Sequence, residues 1–298
     1  MARTGKAWIR GRRFFLAFLC VSAIVSAAEA RPRLVSLAPS LTEMVFAIGA
    51  GDLLVGVTNH CRYPPAAAEL PKVGDYQMPN FEAIIVLQPD LVLVLAEHSP
   101  SFPTLDALGM RYERFDHRTL AGLLDSFTRL GEICAVAAEA VALRREMEEA
   151  FSPPVLPAGA VKPRMLVVFG RDYGQGGIAN AYAIGRDGLY ERLIEAVGCD
   201  NAYAGTAAYP VLSGEGVAAL NPDIIVETVY TAEMGTNLPE SRLRDDWEAL
   251  SNLPAVRDGR LFYIMADYVY VPGARMLLLK RDFQRVVAEA GFASGREP

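Results

Sequence analysis

The side chains of this 298-residue chain best suited to hold a metal or attack a substrate are few and scattered. His60, His98 and His117 are its only histidines, and beyond residue 30 its cysteines are Cys61, Cys134 and Cys199. Imidazole and thiolate suit zinc or iron. No pair of them stands at the C-x-x-C or H-E-x-x-H spacing that brings ligands onto one turn or one helix face. A metal site of the protein's own is therefore not expected. Gly174-Gln175-Gly176-Gly177 follows a strand-like run but lacks the G-x-G-x-x-G spacing of a dinucleotide cradle. There is no P-loop and no G-x-S-x-G nucleophile elbow. Nothing here is arranged for turnover, and an enzyme is not expected.

What the chain does offer is ring surface. His60, Tyr76, His98, Tyr173, Tyr209, Tyr230 and Tyr268, with Tyr63 and Tyr270 beside them, fall in segments that read as loops. Such side chains combine broad apolar contact with a polar tip. They suit a large, partly polar ligand such as a corrin, a porphyrin or an aromatic siderophore. Arg62 and Arg171 lie in the same loops and would suit an anionic siderophore.

The elements that must position these loops alternate between strand and helix. Residues 33–37 and 54–57 read as strands, and 81–87 as a short helix that turns at Pro89-Asp90 into the apolar strand 91–95. Continuous apolar strands fit a parallel sheet covered on both faces. Ser40-Leu41-Thr42-Glu43 has the spacing of a capping box and predicts a helix start, with Gly49 as its end. The run from Glu82 to Leu93 is echoed by Glu215 to Val226: Glu, Leu, Pro and Asp recur at identical offsets before a buried strand. Met165 to Phe169 opens the second half as Leu34 to Leu37 opens the first. The repeat predicts two lobes of one topology. Between them, 135–151 is rich in Ala, Glu, Arg and Met and closed by Ser152-Pro153-Pro154, which predicts a stiff helical connector. The expected organisation is a leader over 1–30, a first α/β lobe over 31–130, a linking helix over 131–152 and a second lobe over 162–298. Ligands of open α/β sheets bind beyond the carboxyl ends of strands. That rule selects the loops around 38–40, 58–63, 75–80 and 96–100, and 170–177, 208–213, 228–233 and 266–273.

Composition bounds the rest. The first thirty residues carry five basic side chains against Glu29, then an apolar run from Phe14 to Ala28 and the small-x-small pattern Ala28-Glu29-Ala30. This order reads as a secretory signal cleaved near Ala30. The formal charge of the whole chain is -6, so removing a leader of +4 leaves a body of -10. A body that acidic repels phosphate backbones, and nucleic acid is not an expected partner. Three remaining cysteines allow at most one internal disulfide.

Together, Leu34-Val35-Ser36-Leu37-Ala38-Pro39-Ser40-Leu41-Thr42-Glu43, Val55-Gly56-Val57 with Tyr63-Pro64-Pro65, Asn80-Phe81-Glu82 running into Gln88-Pro89-Asp90-Leu91-Val92, and the segment Glu215 to Val226 resemble the iron-chelate and cobalamin periplasmic binding proteins of ABC importers. The likeness runs in order through nearly the whole chain beyond residue 30. It implies two Rossmann-like lobes joined by a single long α-helix, a ligand between them and little hinge closure. It implies a periplasmic monomer that delivers a metal chelate (a corrinoid, with siderophore or haem as alternatives) to a permease with its ATPase. By the same resemblance Glu82 and Glu215 match the glutamates that dock onto permease arginines. His60 and Tyr76 fall where cobalamin-binding members, with Tyr and Trp, set rings against the corrin. A helix dipole explains one N-terminal carboxylate, but does not require two at equivalent offsets.

Overall fold

The computed structural model describes residues 31–229 and 240–292. The expected leader and Tyr230 lie outside them. In the first half, β1 (Leu34–Ser36), α1 (Pro39–Ala47), β2 (Leu54–Val57), α2 (Pro65–Ala68) and α3 (Phe81–Leu87) lead into β3 (Leu91–Leu95), α4 (Phe102–Ala107) and β4 (Tyr112–Phe115). Two longer helices follow, α5 (Leu120–Ile133) and α6 (Ala137–Ala150). The second half opens with β5 (Arg164–Val168), β6 (Ala181–Tyr182), α7 (Tyr190–Ala196), β7 (Asp200–Asn201) and β8 (Val211–Leu212). It continues with α8 (Gly214–Leu220), β9 (Ile224–Thr228), α9 (Glu240–Trp247), α10 (Pro254–Arg257), β10 (Leu261–Ile264) and α11 (Met276–Glu289).

Apart from β6 and β8, which pair antiparallel with each other, the strands form two parallel sheets of the same order. The first runs β2-β1-β3-β4 and the second, read from its other edge, β7-β5-β9-β10. Counterpart strands occupy counterpart positions, as the repeat predicts. The match extends to single bonds. Arg33 N–H donates to Asp90 and Arg164 N–H to Asp223, each at 2.8 Å. The same two arginines donate through their guanidinium groups to the last carbonyls of the preceding helices, Leu87 at 2.7 Å and Leu220 at 2.6 Å. The shared Pro-Asp therefore has a mechanical role: the Asp ties the helix exit to the neighbouring strand. Each of these helices ends on a left-handed residue, Gln88 with φ 47 and Asn221 with φ 44, and this frees the chain to turn.

Two expectations are corrected. Ser40 does not cap α1; Ala38 is the cap residue, Pro39 opens the helix, and the side chains of Ser40 and Glu43 are committed elsewhere. The connector is also shorter than 131–152. Residues 131–133 close α5, Ala135 turns left-handed at φ 56, and α6 spans 14 residues, about 21 Å. Gly131 is needed at that turn, because a Cβ there would lie 2.4 Å from the Ala140 Cβ. Side chains from both sheets, α1, α5, α6 and α11 share one continuous apolar core, including Leu34, Leu93, Phe127, Met165, Val226 and Phe283. The three cysteines are buried free thiols. Burial pushes the Cys199 thiol up to about 12, so it stays protonated and inert. No helix among the described residues is long and apolar enough to cross a membrane.

Candidate functional site

Helix α1, like the loops after β2 and β3, starts from the carboxyl end of a strand. These segments bring Pro39, Ser40, His60, Tyr76, Leu95 and Glu97 to one wall of a cavity of about 570 Å³. The other wall comes from the second half: Phe169 directly after β5, Tyr190 at the start of α7, Tyr209, and Tyr270 to Pro272 after β10. The site thus forms where the topology of open parallel sheets predicts it. Its size falls within the range of small-molecule clefts.

The second wall is an aromatic cluster around Phe169. Its ring meets Tyr190 edge-on at 4.8 Å, Tyr270 at 5.7 Å and Tyr209 in a stacked arrangement at 6.4 Å. Hydrogen bonds lock the orientations. The Tyr190 hydroxyl donates to the Val269 carbonyl at 2.9 Å, and the Tyr270 hydroxyl donates to the Phe169 carbonyl at 3.2 Å with Thr228 Oγ1 at 2.9 Å. On the first wall, the Tyr76 hydroxyl donates to Glu97 Oε1 at 2.5 Å, and the Tyr76 ring sits edge-on to His98 at 4.6 Å. Burial, and then the hydrogen bond and charge of Glu97, push the Tyr76 phenol well above its ordinary range. Burial and Asp187 do the same for Tyr209, whose hydroxyl donates to Asp187 at 3.4 Å. Both phenols are neutral at physiological pH, and each has its proton engaged by a carboxylate.

Of the residues expected from sequence, His60, Tyr76 and Tyr209 meet at the cavity. Three others do not line it. His98 is buried behind Tyr76, where its Nδ1 accepts from Leu95 N–H at 2.9 Å. Burial lowers its pKa. Tyr173 lies 4.6 Å over the Arg171 guanidinium. Tyr268 donates to Asp282 at 2.5 Å on the α11 side, and burial with that carboxylate raises it to about 12. Tyr230 is outside the described residues. Sequence reasoning missed Phe169 and Tyr190. Phe169 is the first residue after a strand, which the strand-end rule could have selected; Tyr190 opens a helix and a search of loops passes over it.

Neither expected arginine lines the cavity, and Arg62 is exposed outside it. Arg171 is fully buried at its side chain, 3.0 Å from Glu227 and 2.5 Å from Asp246. Asp246 also accepts from the N–H groups of Gly174 and Gly176 at 2.8 and 2.9 Å. Burial raises Asp246, but the guanidinium and these N–H groups outweigh it and hold the carboxyl below its usual range. The Gly174 to Gly177 run is thereby explained as a loop wrapped on a buried carboxylate. Among the described residues that line the cavity there is no lysine or arginine, and the one charged side chain is Glu97. No group of three or more His, Cys, Asp or Glu side chains that could hold a metal ion occurs among the described residues.

Comparison with known proteins agrees with this architecture. An ABC transporter substrate-binding lipoprotein of Bacillus subtilis, YvrC, is 28% identical over 82% of this chain and 76% of its own. The vitamin B12-binding protein of Vibrio parahaemolyticus is 26% identical over 87% of this chain and 90% of its own. Among solved structures, the periplasmic heme-binding protein BhuT in complex with two hemes superposes with a TM-score of 0.72 at 25% identity, covering 87% of this chain and 98% of that one. Residues 34–268 match the periplasmic binding protein family. The same-order sheets, the cleft between them and this match lead to one conclusion: the chain belongs to the periplasmic binding protein family, which binds substrates rather than transforming them.

Proposed function

We propose that this protein captures cobalamin or a related corrinoid in its aromatic cleft and delivers it, as a periplasmic monomer, to the permease of an ABC importer. The observation that carries the ligand class is the sign of the cavity. A corrin is fringed by neutral amides, whose N–H groups can donate to Glu97 and whose faces can lie on Tyr76, Phe169 and Tyr209. Haem carries propionates, and ferric siderophores are commonly anionic. Anionic groups favour cationic partners, but neither Arg62 nor Arg171 lines the cavity, and Arg171 is spent on Glu227 and Asp246. The likeness to vitamin B12-binding relatives supports the same reading.

Haem is the second reading. It is favoured by the likeness to a heme-binding structure and by His60 and Tyr76, side-chain types that ligate haem iron. Calorimetric titration of the protein beyond residue 30 with cyanocobalamin, haemin and a ferric hydroxamate separates the readings. Saturable one-to-one binding of cyanocobalamin with weaker haemin binding is expected. Preference for haemin transfers the assignment to haem, and no binding of any of the three sinks the chelate reading. Calorimetry suits this protein because its one tryptophan beyond residue 30, Trp247, is fully buried away from the cavity and bonded to Glu227 at 2.6 Å.

Docking to the permease is assigned to Glu82 and Glu215. Both occupy the second position of an N-capped helix, after Asn80 and Ser213, and both are exposed.

A further inference from the structure

We propose that Arg275 is a positioning residue of the binding cleft: with Glu43 and Asp267 it forms a clamp that fixes the separation of the two walls. Glu43 lies on α1 of the first half, whereas Arg275 immediately precedes α11 of the second, 232 residues later. The guanidinium donates to both oxygens of Glu43, Nε at 2.8 Å and Nη2 at 2.5 Å. It also donates to both oxygens of Asp267, at 2.7 and 3.0 Å. One ring from each half covers it, Tyr63 at 4.2 Å and Tyr268 at 5.7 Å. Four directed bonds and two stacked faces leave this planar group one orientation.

The clamp sits directly behind the cleft. Ser40, one turn before Glu43, and Val271 and Pro272, just before Arg275, line the cavity. Between them the backbones nearly touch, since a Cβ on Gly273 would lie 3.4 Å from the Ser40 carbonyl oxygen. His117 holds the Ser40 hydroxyl from the other side at 3.0 Å. A shift of α1 against α11 therefore moves Ser40 relative to Pro272, and the cleft changes width.

Electrostatics explain why both carboxylates are present. A guanidinium at a helix N-terminus is disfavoured by the dipole, and two carboxylates reverse the local sign. A buried ion pair adds little net stability because desolvation consumes most of the attraction, so its contribution here is orientation. The clamp thus accounts for a cleft held at a set width, in addition to the shared core.

The test uses the full chain beyond residue 30, with spin labels on single cysteines introduced as Ala107→Cys and Ser251→Cys. Both positions are exposed, and the three native thiols are buried. Pulsed dipolar spectroscopy without any ligand should show a broader interlobe distance distribution in Glu43→Gln and Arg275→Lys than in the parent. Leu166→Ala, a core change confined to the second half, should lower the melting temperature without that broadening. An unchanged distribution in both clamp variants, or equal broadening in Leu166→Ala, overturns the proposal. Because this readout contains no ligand, it stands whatever the cargo proves to be. The link to binding rests on the cleft being the ligand site. There, cyanocobalamin affinity should fall about tenfold in the clamp variants, which equals about 1.4 kcal/mol. Broadening without any change in affinity refutes the positioning role and leaves the cargo assignment intact.

Discussion

His117 shows how much a single buried side chain contributes to this site. Its Nδ1 and Nε2 meet the hydroxyls of Ser40 and Ser126 at 3.0 and 3.1 Å, which suits a neutral imidazole that gives one hydrogen and takes another. Burial lowers its pKa to about 4. The unfolded chain, with an ordinary histidine near 6.5, binds the proton more readily. His117 thus adds stability that is fully present above about pH 6.5 and is lost as pH falls toward 4. Integrated over that window the loss is on the order of 3 kcal/mol. Thermal melts from pH 7 to pH 4 should reveal it, and His117→Gln should flatten the profile across that range. Phe169 is the counterpart at the cavity surface. Three tyrosine rings rest on its ring, and aromatic pairs are each worth about 0.5–1.5 kcal/mol beyond area burial. Phe169→Ala should therefore weaken cyanocobalamin by about tenfold or more in calorimetry through lost contact and loosened tyrosines. A smaller change would mean that the ligand does not touch this wall.

At the scale of the element, the informative unit is the short helix that ends at Pro-Asp. Asn80 accepts from Ala83 N–H at 3.0 Å and Ser213 from Gly216 N–H at 3.2 Å, so each copy begins with a side-chain cap. Each ends left-handed, on Gln88 or Asn221. Asn tolerates that conformation better than Gln does, and glycine carries no Cβ penalty there. Gln88→Gly is expected to stabilise by about 0.5–1 kcal/mol in urea unfolding, and Asn80→Ala to destabilise by about 1 kcal/mol. The opposite sign for Gln88→Gly would show that its side chain contributes more than its backbone costs. The caps and left-handed ends of these helices were legible from residue order because each is set within a few positions, whereas the Asp of each turn bonds to an arginine that lies 57 or 59 residues earlier. The start of α1 was misread for the same reason. Ser40 and Glu43 have capping-box spacing, but their partners, His117 and Arg275, are 77 and 232 residues away.

For the whole molecule, the repeat has a consequence that neither half shows alone. Two exposed glutamates at equivalent positions of two like lobes suit a partner that presents two equivalent surfaces. Glu82→Arg and Glu215→Arg should each reduce, and together abolish, uptake of labelled cyanocobalamin in cells. Calorimetric affinity should be unchanged, and a fall in affinity would mean that the two residues serve the pocket instead. The sequence by itself determined the alternation of strand and helix and the duplicated module with its Glu, Leu, Pro and Asp. Periodicity, turn chemistry and spacing are local properties, and residue order carries them directly. Only the tertiary structure decided which rings share a surface. It joined Phe169, Tyr190, Tyr209 and Tyr270 to Tyr76 and Glu97, left His98, Tyr173 and Tyr268 off the lining, and drew Arg171 into a buried network. A cleft is built from strand ends far apart in sequence. The side chains that reach it are chosen by how two sheets pack across a shared core, and by which polar groups that packing must satisfy first.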